Sequence, residues 1–356
     1  MFTPRASIAV ASLVAIAASL PAIAQFETRG TYPTLQSPQS IAVGDFNNDG
    51  NLDVPVACYF QSQQVTILLG NGDGTFQPAV NYAAGAEPYS VAAADFNNDG
   101  SLDLAVADYA LSNNVSIIMG NGNGTFQAPT TYTTPHPPTT YVGVGDFNND
   151  HNMDLVLVES HHIDIMLGNG NGTFQPPLDF APSYAPTSVG VGDFDHDGKL
   201  DLAVAEQFGG TSQVQIFFGK GDGTFRSGGS YAVGSQPTSV TASDLRGDGR
   251  LDLVVSSFGD GLDVLLGNGD GTFQSAVRYQ GGTTWATVAD LNGDGIPDVA
   301  SASFDSPSGV YVNLGAGNGT LGPSEYYPDG KQAQFVATGD FNRDHMTDLI
   351  VAVRLF

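Results

Sequence analysis

"DFNNDGNLD", running from Asp45 to Asp53, places oxygen-bearing side chains at its first, third, fifth and ninth positions and a glycine, Gly50, at its sixth. Oxygens alternating with spacers around a tight turn are what a hard cation such as Ca²⁺ requires, six to eight of them at roughly 2.3–2.6 Å. The same residues also suit a hairpin turn in which Asp and Asn bond their own backbone. One copy leaves both readings open. The chain carries seven: "DFNNDGSLD" follows from Asp95, "DFNNDHNMD" from Asp146, "DFDHDGKLD" from Asp193, "DLRGDGRLD" from Asp244, "DLNGDGIPD" from Asp290 and "DFNRDHMTD" from Asp340. Their starts lie 50, 51, 47, 51, 46 and 50 residues apart.

Recurrence favours the metal. Three carboxylates within roughly 5 Å of one another repel by about 3 kcal/mol per pair at an effective dielectric of 20. A dication reverses the sign of that interaction, and the lack of Cys and His ligands in these loops argues against zinc. The candidate Ca²⁺ ligands of the first loop are Asp45, Asn47, Asp49, Asn51 through its carbonyl, and Asp53. The second offers Asp95, Asn97, Asp99, Ser101 and Asp103, and the third Asp146, Asn148, Asp150, Asn152 and Asp154. The fourth offers Asp193, Asp195, Asp197, Lys199 and Asp201, and the sixth Asp290, Asn292, Asp294, Ile296 and Asp298. The seventh offers Asp340, Asn342, Asp344, Met346 and Asp348, position seven acting through its backbone throughout. His151 and His345 replace the turn glycine, and His tolerates left-handed backbone better than most residues. In the fifth loop Arg246 stands at position three, where a guanidinium would fill the cage, so little or no calcium is expected there. Four to six filled sites are expected in all.

A second signature interleaves with the first. "LLGNGDGTFQ" at Leu68 returns as "IMGNGNGTFQ", "MLGNGNGTFQ", "FFGKGDGTFR", "LLGNGDGTFQ" and a worn "NLGAGNGTLG". Its Asn-Gly and Asp-Gly pairs are hairpin-turn dipeptides, and no Gly-Lys-Ser/Thr follows that would make a phosphate loop. Between the signatures, alternating apolar and β-branched residues predict four short antiparallel strands per unit, the pattern of a β-propeller blade. Seven Asp loops predict an all-β, seven-bladed propeller over residues 25–356. The last unit stops after two strands. Phe26 precedes Tyr32 by six residues, as Phe76 precedes Tyr82 and Phe126 precedes Tyr132, so residues 26–32 read as an orphan fourth strand that closes the ring. Nothing in that expectation supplies a third strand. Small residues stand three and one before each leading Asp, as at Ala42 and Gly44 or Gly143 and Gly145, where blades converge on the axis.

The opening stretch has one cation, Arg5, an apolar run from Ile8 to Leu20, and small residues at Ala22 and Ala24. It reads as a secretory signal over residues 1–24, and the run is short for a membrane span. The expected product is secreted, extracellular or periplasmic, and monomeric. Its removal leaves 10 basic and 37 acidic residues, net −27. Six bound calcium ions would bring that to −15. So acidic a chain repels phosphate backbones, which sets nucleic acid aside as a partner. Cys58, the one cysteine, lies in "VPVACYF" and reads as a small core residue.

The paired signatures "DFNNDGSLDLAVA" and "IIMGNGNGTFQ" closely resemble FG-GAP repeats, in the bacterial form often called VCBS-like. The resemblance covers residues 26–356. It implies the propeller of integrin α subunits, with calcium between the first and second strands of a blade, and extracellular recognition or adhesion. The chain differs from integrins in lacking leg domains and long inserted cap loops. Three roles follow. A binding module for a glycan or protein would use the variable rim opposite the Asp loops, where Tyr141, Trp285 and Phe335 stand five residues before the leading Asp and would stack with Tyr59, Tyr109 or Tyr184 around a sugar. A polysaccharide lyase would need a base, for which "ESHH" at Glu159 to His162 is the best cluster. A structural envelope or matrix component would need neither. The expectation is a binding module and no catalytic residue.

Overall fold

The computed structural model describes residues 7–13, 26–60, 62–110, 114–208, 210–328 and 332–354, and every strand pair in it is antiparallel. Two strands come first, β1 (Ser7–Leu13) and β2 (Phe26–Pro33). Six blades of four consecutive strands follow. The first is β3 (Pro38–Ile41), β4 (Val54–Cys58), β5 (Gln64–Leu68) and β6 (Val80–Ala83). The second is β7 (Pro88–Ala94), β8 (Asp103–Asp108), β9 (Asn114–Ile118) and β10 (Thr130–Thr133). The third is β11 (Tyr141–Gly145), β12 (Asp154–Val158), β13 (Ile163–Met166) and β14 (Leu178–Phe180). The fourth is β15 (Ala185–Gly192), β16 (Asp201–Phe208), β17 (Thr211–Gly219) and β18 (Phe225–Ala232). The fifth is β19 (Pro237–Ser243), β20 (Asp252–Ser257), β21 (Gly261–Leu265) and β22 (Val277–Tyr279). The sixth is β23 (Trp285–Ala289), β24 (Asp298–Ser303), β25 (Gly309–Gly315) and β26 (Leu321–Pro328). β27 (Gln332–Gly339) and β28 (Asp348–Arg354) end the chain.

The architecture is an all-β β-propeller. Counting Asp loops predicts seven blades, but only six are built from their own consecutive strands. The seventh unit contributes β27 and β28 alone, and its sheet is completed from the other end of the chain in the order β2-β1-β28-β27. β2 takes the outer position expected of residues 26–32. The third-strand position, left empty by the sequence, is held by Ser7–Leu13, within the stretch that reads as a leader. The expected cut after Ala24 lies outside the described residues. No helix among the described residues is long and apolar enough to cross a membrane.

Ring contacts show how β2 is seated. The Tyr of one blade's outer strand meets the Phe after the next blade's glycine turn: Tyr82 with Phe126 at 5.2 Å and Tyr132 with Phe174 at 5.8 Å between ring centroids. Tyr32 makes the same edge contact with Phe76 at 5.3 Å, and Phe26 receives it from Tyr327 at 5.3 Å. β27 packs on β23 and β24 on one side and on β3 on the other.

The apolar cores lie between blades. Second strands such as Val54–Cys58 and Asp154–Val158 are buried along their whole length, while outer strands such as Val80–Ala83 are mostly exposed. The expected alternation is therefore absent from the second strands, because both their faces are covered by neighbouring sheets. In β8, Leu104 and Val106 pack toward the first blade, whereas Ala105 and Ala107 pack toward the third. The small residue before each leading Asp has a specific partner. A Cβ at Gly145 would lie 2.8 Å from Leu200 of the next blade, and one at Gly339 would lie 2.6 Å from Leu52. Cys58 is buried and free, and burial pushes its thiol up to about 12.

One core carboxyl is poorly served. Asp108 is fully buried, with its Oδ2 accepting the Ser116 hydroxyl at 2.8 Å and its Oδ1 unpartnered. Burial pushes its pKa up to about 7. A folded pKa above the unfolded value of about 3.9 means stability is fully present below that value and falls as pH rises toward 7. Asp108→Asn should therefore gain on the wild type as pH rises from 4 to 8, by on the order of 2–4 kcal/mol at the upper end. Urea unfolding at the two pH values checks this, and a pH-independent difference contradicts it.

Candidate functional site

Every Asp loop sits where the first strand of a blade turns into the second, because its leading Asp gathers the turn's own N–H groups. Asp45 Oδ2 accepts the Gly50 N–H at 2.7 Å, and its Oδ1 accepts those of Asn47 and Asp49 at 3.3 and 3.2 Å. Asn47 Oδ1 accepts from Asp49 N at 3.0 Å, and Asp49 Oδ1 from Asn51 N at 2.7 Å. The same bonds recur from Asp95, Asp146, Asp290 and Asp340. The hairpin turn and the arrangement a metal cage would need are thus compatible, since the same backbone bonds that make the turn tie the first, third and fifth side chains into it. His151 and His345 take left-handed φ values of 68° and 67°, as expected of residues standing in for glycine.

Position nine plays a part that the sequence did not disclose. Asp53 is fully buried, with Oδ2 accepting the Phe46 N–H at 2.9 Å and Oδ1 that of Gly70 at 2.7 Å. Asp103, Asp154, Asp201 and Asp298 do the same at their own loops and turns. This carboxylate ties the Asp loop to the glycine-rich turn of its own blade. That turn then reaches the preceding blade: Gly124 donates to the Phe46 carbonyl at 2.9 Å, Gly172 to Phe96 at 2.9 Å and Gly74 to Phe341 at 2.9 Å. At position seven the side chains of Asn51, Ser101 and Asn152 lie against Gly72, Gly122 and Gly170 rather than in the cage.

The residues fit a divalent oxygen-seeking cation. Asp193, Asp195 and Asp197 bring carboxylate oxygens within 4.8 Å of one another. The Ser101 N–H, then the Asn97 amide, lower the pKa of Asp99. Asp53, Asp103, Asp154, Asp201 and Asp298 are pushed up to about 6, by burial first and then by the carboxylates of their own loops. The fifth loop differs. Arg246 Nη2 meets Asp252 Oδ1 at 2.7 Å, its Nε donates to Asp252 Oδ2 at 3.2 Å, and its Nη1 lies 3.3 Å from Asp248. The guanidinium stands among the carboxylates, as its position in the sequence suggested. In the fourth loop Lys199 pairs with Asp197 at 2.6 Å.

On the opposite rim the channel mouth opens into a cavity of about 400 Å³, continued inward by a shaft of about 370 Å³. Tyr141, Trp285 and Phe335 lie there as expected, but they stack on each other. Trp285 is 6.0 Å from Tyr141 and 4.4 Å from Phe335, nearly parallel to both. The indole is thereby engaged by two rings of its own chain, and the trio lines the mouth. Tyr59 and Tyr109 do not join it; they pack with Tyr89 at 5.7 and 5.1 Å. Tyr184 does not line the cavity. Burial pushes the Tyr141 hydroxyl up to about 12. The remaining wall comes from the residue six before each leading Asp, which sequence analysis passed over: Gln39, Tyr89, Thr140, Thr187, Thr238, Thr284 and Gln334. Gln207 adds to it from β16 and Gln236 and Phe258 from loops, and Gln334 Nε2 is buried without a partner. The repeat register would have found that ring, one residue before the aromatic position already noted. The "ESHH" cluster lies elsewhere, on the rim of the third blade.

A model of the FG-GAP-like repeat matches the chain at residues 45–106, 95–157, 146–204, 205–255, 244–301 and 290–351. The chain belongs to the FG-GAP-like repeat family. No curated protein matches it in sequence. Among solved structures it is similar to a lectin of Agrocybe aegerita described as recognising non-reducing terminal N-acetylglucosamine, with a TM-score of 0.59, 21% identity and coverage of 97% of this chain and 95% of that one. It is also similar to BBS1N in complex with ARL6DN, with a TM-score of 0.63, 14% identity and coverage of 90% and 94%. A Lactobacillus plantarum protein gives a TM-score of 0.58 and 14% identity over 90% and 95%. At these identities the likeness is one of fold.

Position nine makes a prediction that needs no ligand. Asp103→Ala strands the buried N–H groups of Phe96 and Gly120 and should destabilise the chain by about 2–5 kcal/mol in chelator-treated protein. Chemical denaturation checks this, and a loss below about 1 kcal/mol would show that the clamp is idle.

Proposed function

We propose that this FG-GAP-like repeat protein is a calcium-binding recognition module that takes a neutral glycan at its channel mouth, on the rim away from the metal loops. The observation that carries this reading is the lining of the mouth. In a chain of 11 basic and 37 acidic residues, the 17 residues around that cavity include no charged side chain. Amides, hydroxyls and aromatic edges in a concave site match the alternating polar and apolar faces of a sugar. The unpartnered Gln334 Nε2 is a donor waiting for an acceptor. The similar lectin recognises a sugar and the similar BBS1N is held by a protein, so the fold accommodates both kinds of ligand. The small, neutral, hydrogen-bonding mouth favours the sugar. A lyase would need a base at the cavity, and the Tyr hydroxyls there are poor candidates, that of Tyr141 being pushed up to about 12.

Calcium belongs to the same proposal, held by positions one, three, five and nine of six loops and the carbonyl of position seven. The ion supplies the positive charge those carboxylates lack and stiffens the opposite rim. The leader-like stretch supports export; because β1 lies within it, the composite sheet keeps its third strand only while residues 1–24 stay attached. We further propose that the composite sheet serves as the seventh blade and that the propeller is monomeric.

Two experiments test this. Removing calcium with chelator should lower the melting temperature by about 5 °C or more, since one strong site saturated at a thousandfold its Kd contributes about 4 kcal/mol. Arg246→Asn should add one bound calcium per chain by elemental analysis. An unchanged melting temperature and no bound calcium would dispose of the metal half. For the ligand, neutral glycans arrayed on a surface should retain the protein. Gln236→Ala with Phe258→Ala should weaken retention at least tenfold without moving the melting temperature. Retention of no glycan, or retention indifferent to those changes, sinks the mouth as the binding site.

A further inference from the structure

The third blade departs from the others at one cross-strand position. Where its third and fourth strands pair, Asp164 stands opposite Asp179. The corresponding pair in the first blade is Thr66 and Asn81, hydrogen-bonded at 2.8 Å, and in the fifth it is Asp263 and Arg278, an ion pair at 3.0 Å. Like charges directly opposite in a sheet destabilise it. Asp164 is moreover fully buried, and its carboxylate faces that of Asp179 across the strand pair.

Two histidines converge on this pair. His162 Nδ1 lies 2.7 Å from Asp179 Oδ1, and His136 Nε2 lies 3.6 Å from Asp179 Oδ2. Their rings stack with centroids 3.5 Å apart and planes 11° from parallel. His136 comes from the loop between the second and third blades, and that loop is pinned. Buried Glu159 accepts the His136 N–H at 2.7 Å with Oε2 and the Thr139 hydroxyl at 3.2 Å with Oε1. Three carboxylates thus face two imidazoles, and among the described residues no Lys or Arg pairs with them. The chain has no Lys or Arg between Arg29 and Lys199.

We propose that His136, His162 and Asp179 bind a transition-metal dication, with Asp164 neutralising it from the buried side. Their ligating atoms already lie within 4.8 Å of one another, and all three side chains are partly exposed, free to close the remaining gap to zinc distances of roughly 2.0–2.2 Å. Imidazole nitrogen selects zinc, nickel or copper over calcium, so this site is chemically distinct from the Asp loops on the other rim. Three protein ligands leave a fourth position open to water.

The test uses the full chain saturated with calcium, so that the Asp loops are occupied, and titrates it with Zn²⁺ by calorimetry. One equivalent should bind. His136→Ala, His162→Ala and the gentler His162→Gln should each weaken it at least tenfold, and Asp164→Asn should weaken it as well. His161→Ala, an exposed neighbour, should leave it unchanged. Co²⁺ in place of zinc should give visible absorption bands that vanish in the His162→Gln variant, while melting in calcium shows that this variant is folded. Absence of zinc binding, or binding that survives loss of His136 and His162, overturns the proposal.

Discussion

The rim of this propeller hangs on a carboxylate that never reaches solvent. The Asp at the ninth position of the first six loops accepts one N–H from the loop's second residue and one from the glycine-rich turn of the same blade, as Asp53 does with Phe46 and Gly70. An ionised acceptor taking two buried backbone donors makes stronger bonds than a neutral one. The glycine turn so placed then donates to the preceding blade, Gly124 to Phe46 for example. Loop, turn and neighbouring loop become one hydrogen-bonded run from the fifth blade back through the first to Phe341. The price is a ring of buried acids whose pKa values are pushed up to about 6, an environment that favours a bound cation.

Closure of the ring follows from the same repetition. Each interblade core takes alternate residues of two adjacent second strands, so no blade is complete without a neighbour on either side. The chain's two ends meet this demand by sharing a sheet. Tyr32 contacts Phe76 as Tyr82 contacts Phe126, and Gly339 receives Leu52 as Gly145 receives Leu200. Arg343 adds a bond across the seam to the Asp49 carbonyl at 3.1 Å.

The two rims are chemically opposite. One concentrates the acidic loops; the other opens on a neutral mouth floored by Trp285 between Tyr141 and Phe335. A scaffold whose blades repeat can vary one rim without disturbing the other, because the strands between them are buried on both faces. The third blade's rim, with Asp164 and Asp179 beneath two histidines, is one such variation.

The sequence by itself determined the class of fold, the spacing of the loops, the oxygen-bearing side chains within them and the seat of Arg246. All are local or periodic properties, and a period near fifty residues repeated seven times is hard to mistake. It also placed Phe26 to Tyr32 as a borrowed outer strand, through an interval shared with complete blades. Only the tertiary structure decided which strand fills the third position of the composite sheet, because strand pairing between chain ends carries no local signal. It alone showed position nine as a clamp, since the donor from Gly70 lies 17 residues away. It alone stacked Trp285 on Tyr141 and Phe335, set Tyr59 and Tyr109 against Tyr89, and brought His136 to His162 across a blade boundary. Each depends on which blade stands beside which, and that is a property of the closed ring rather than of any single repeat.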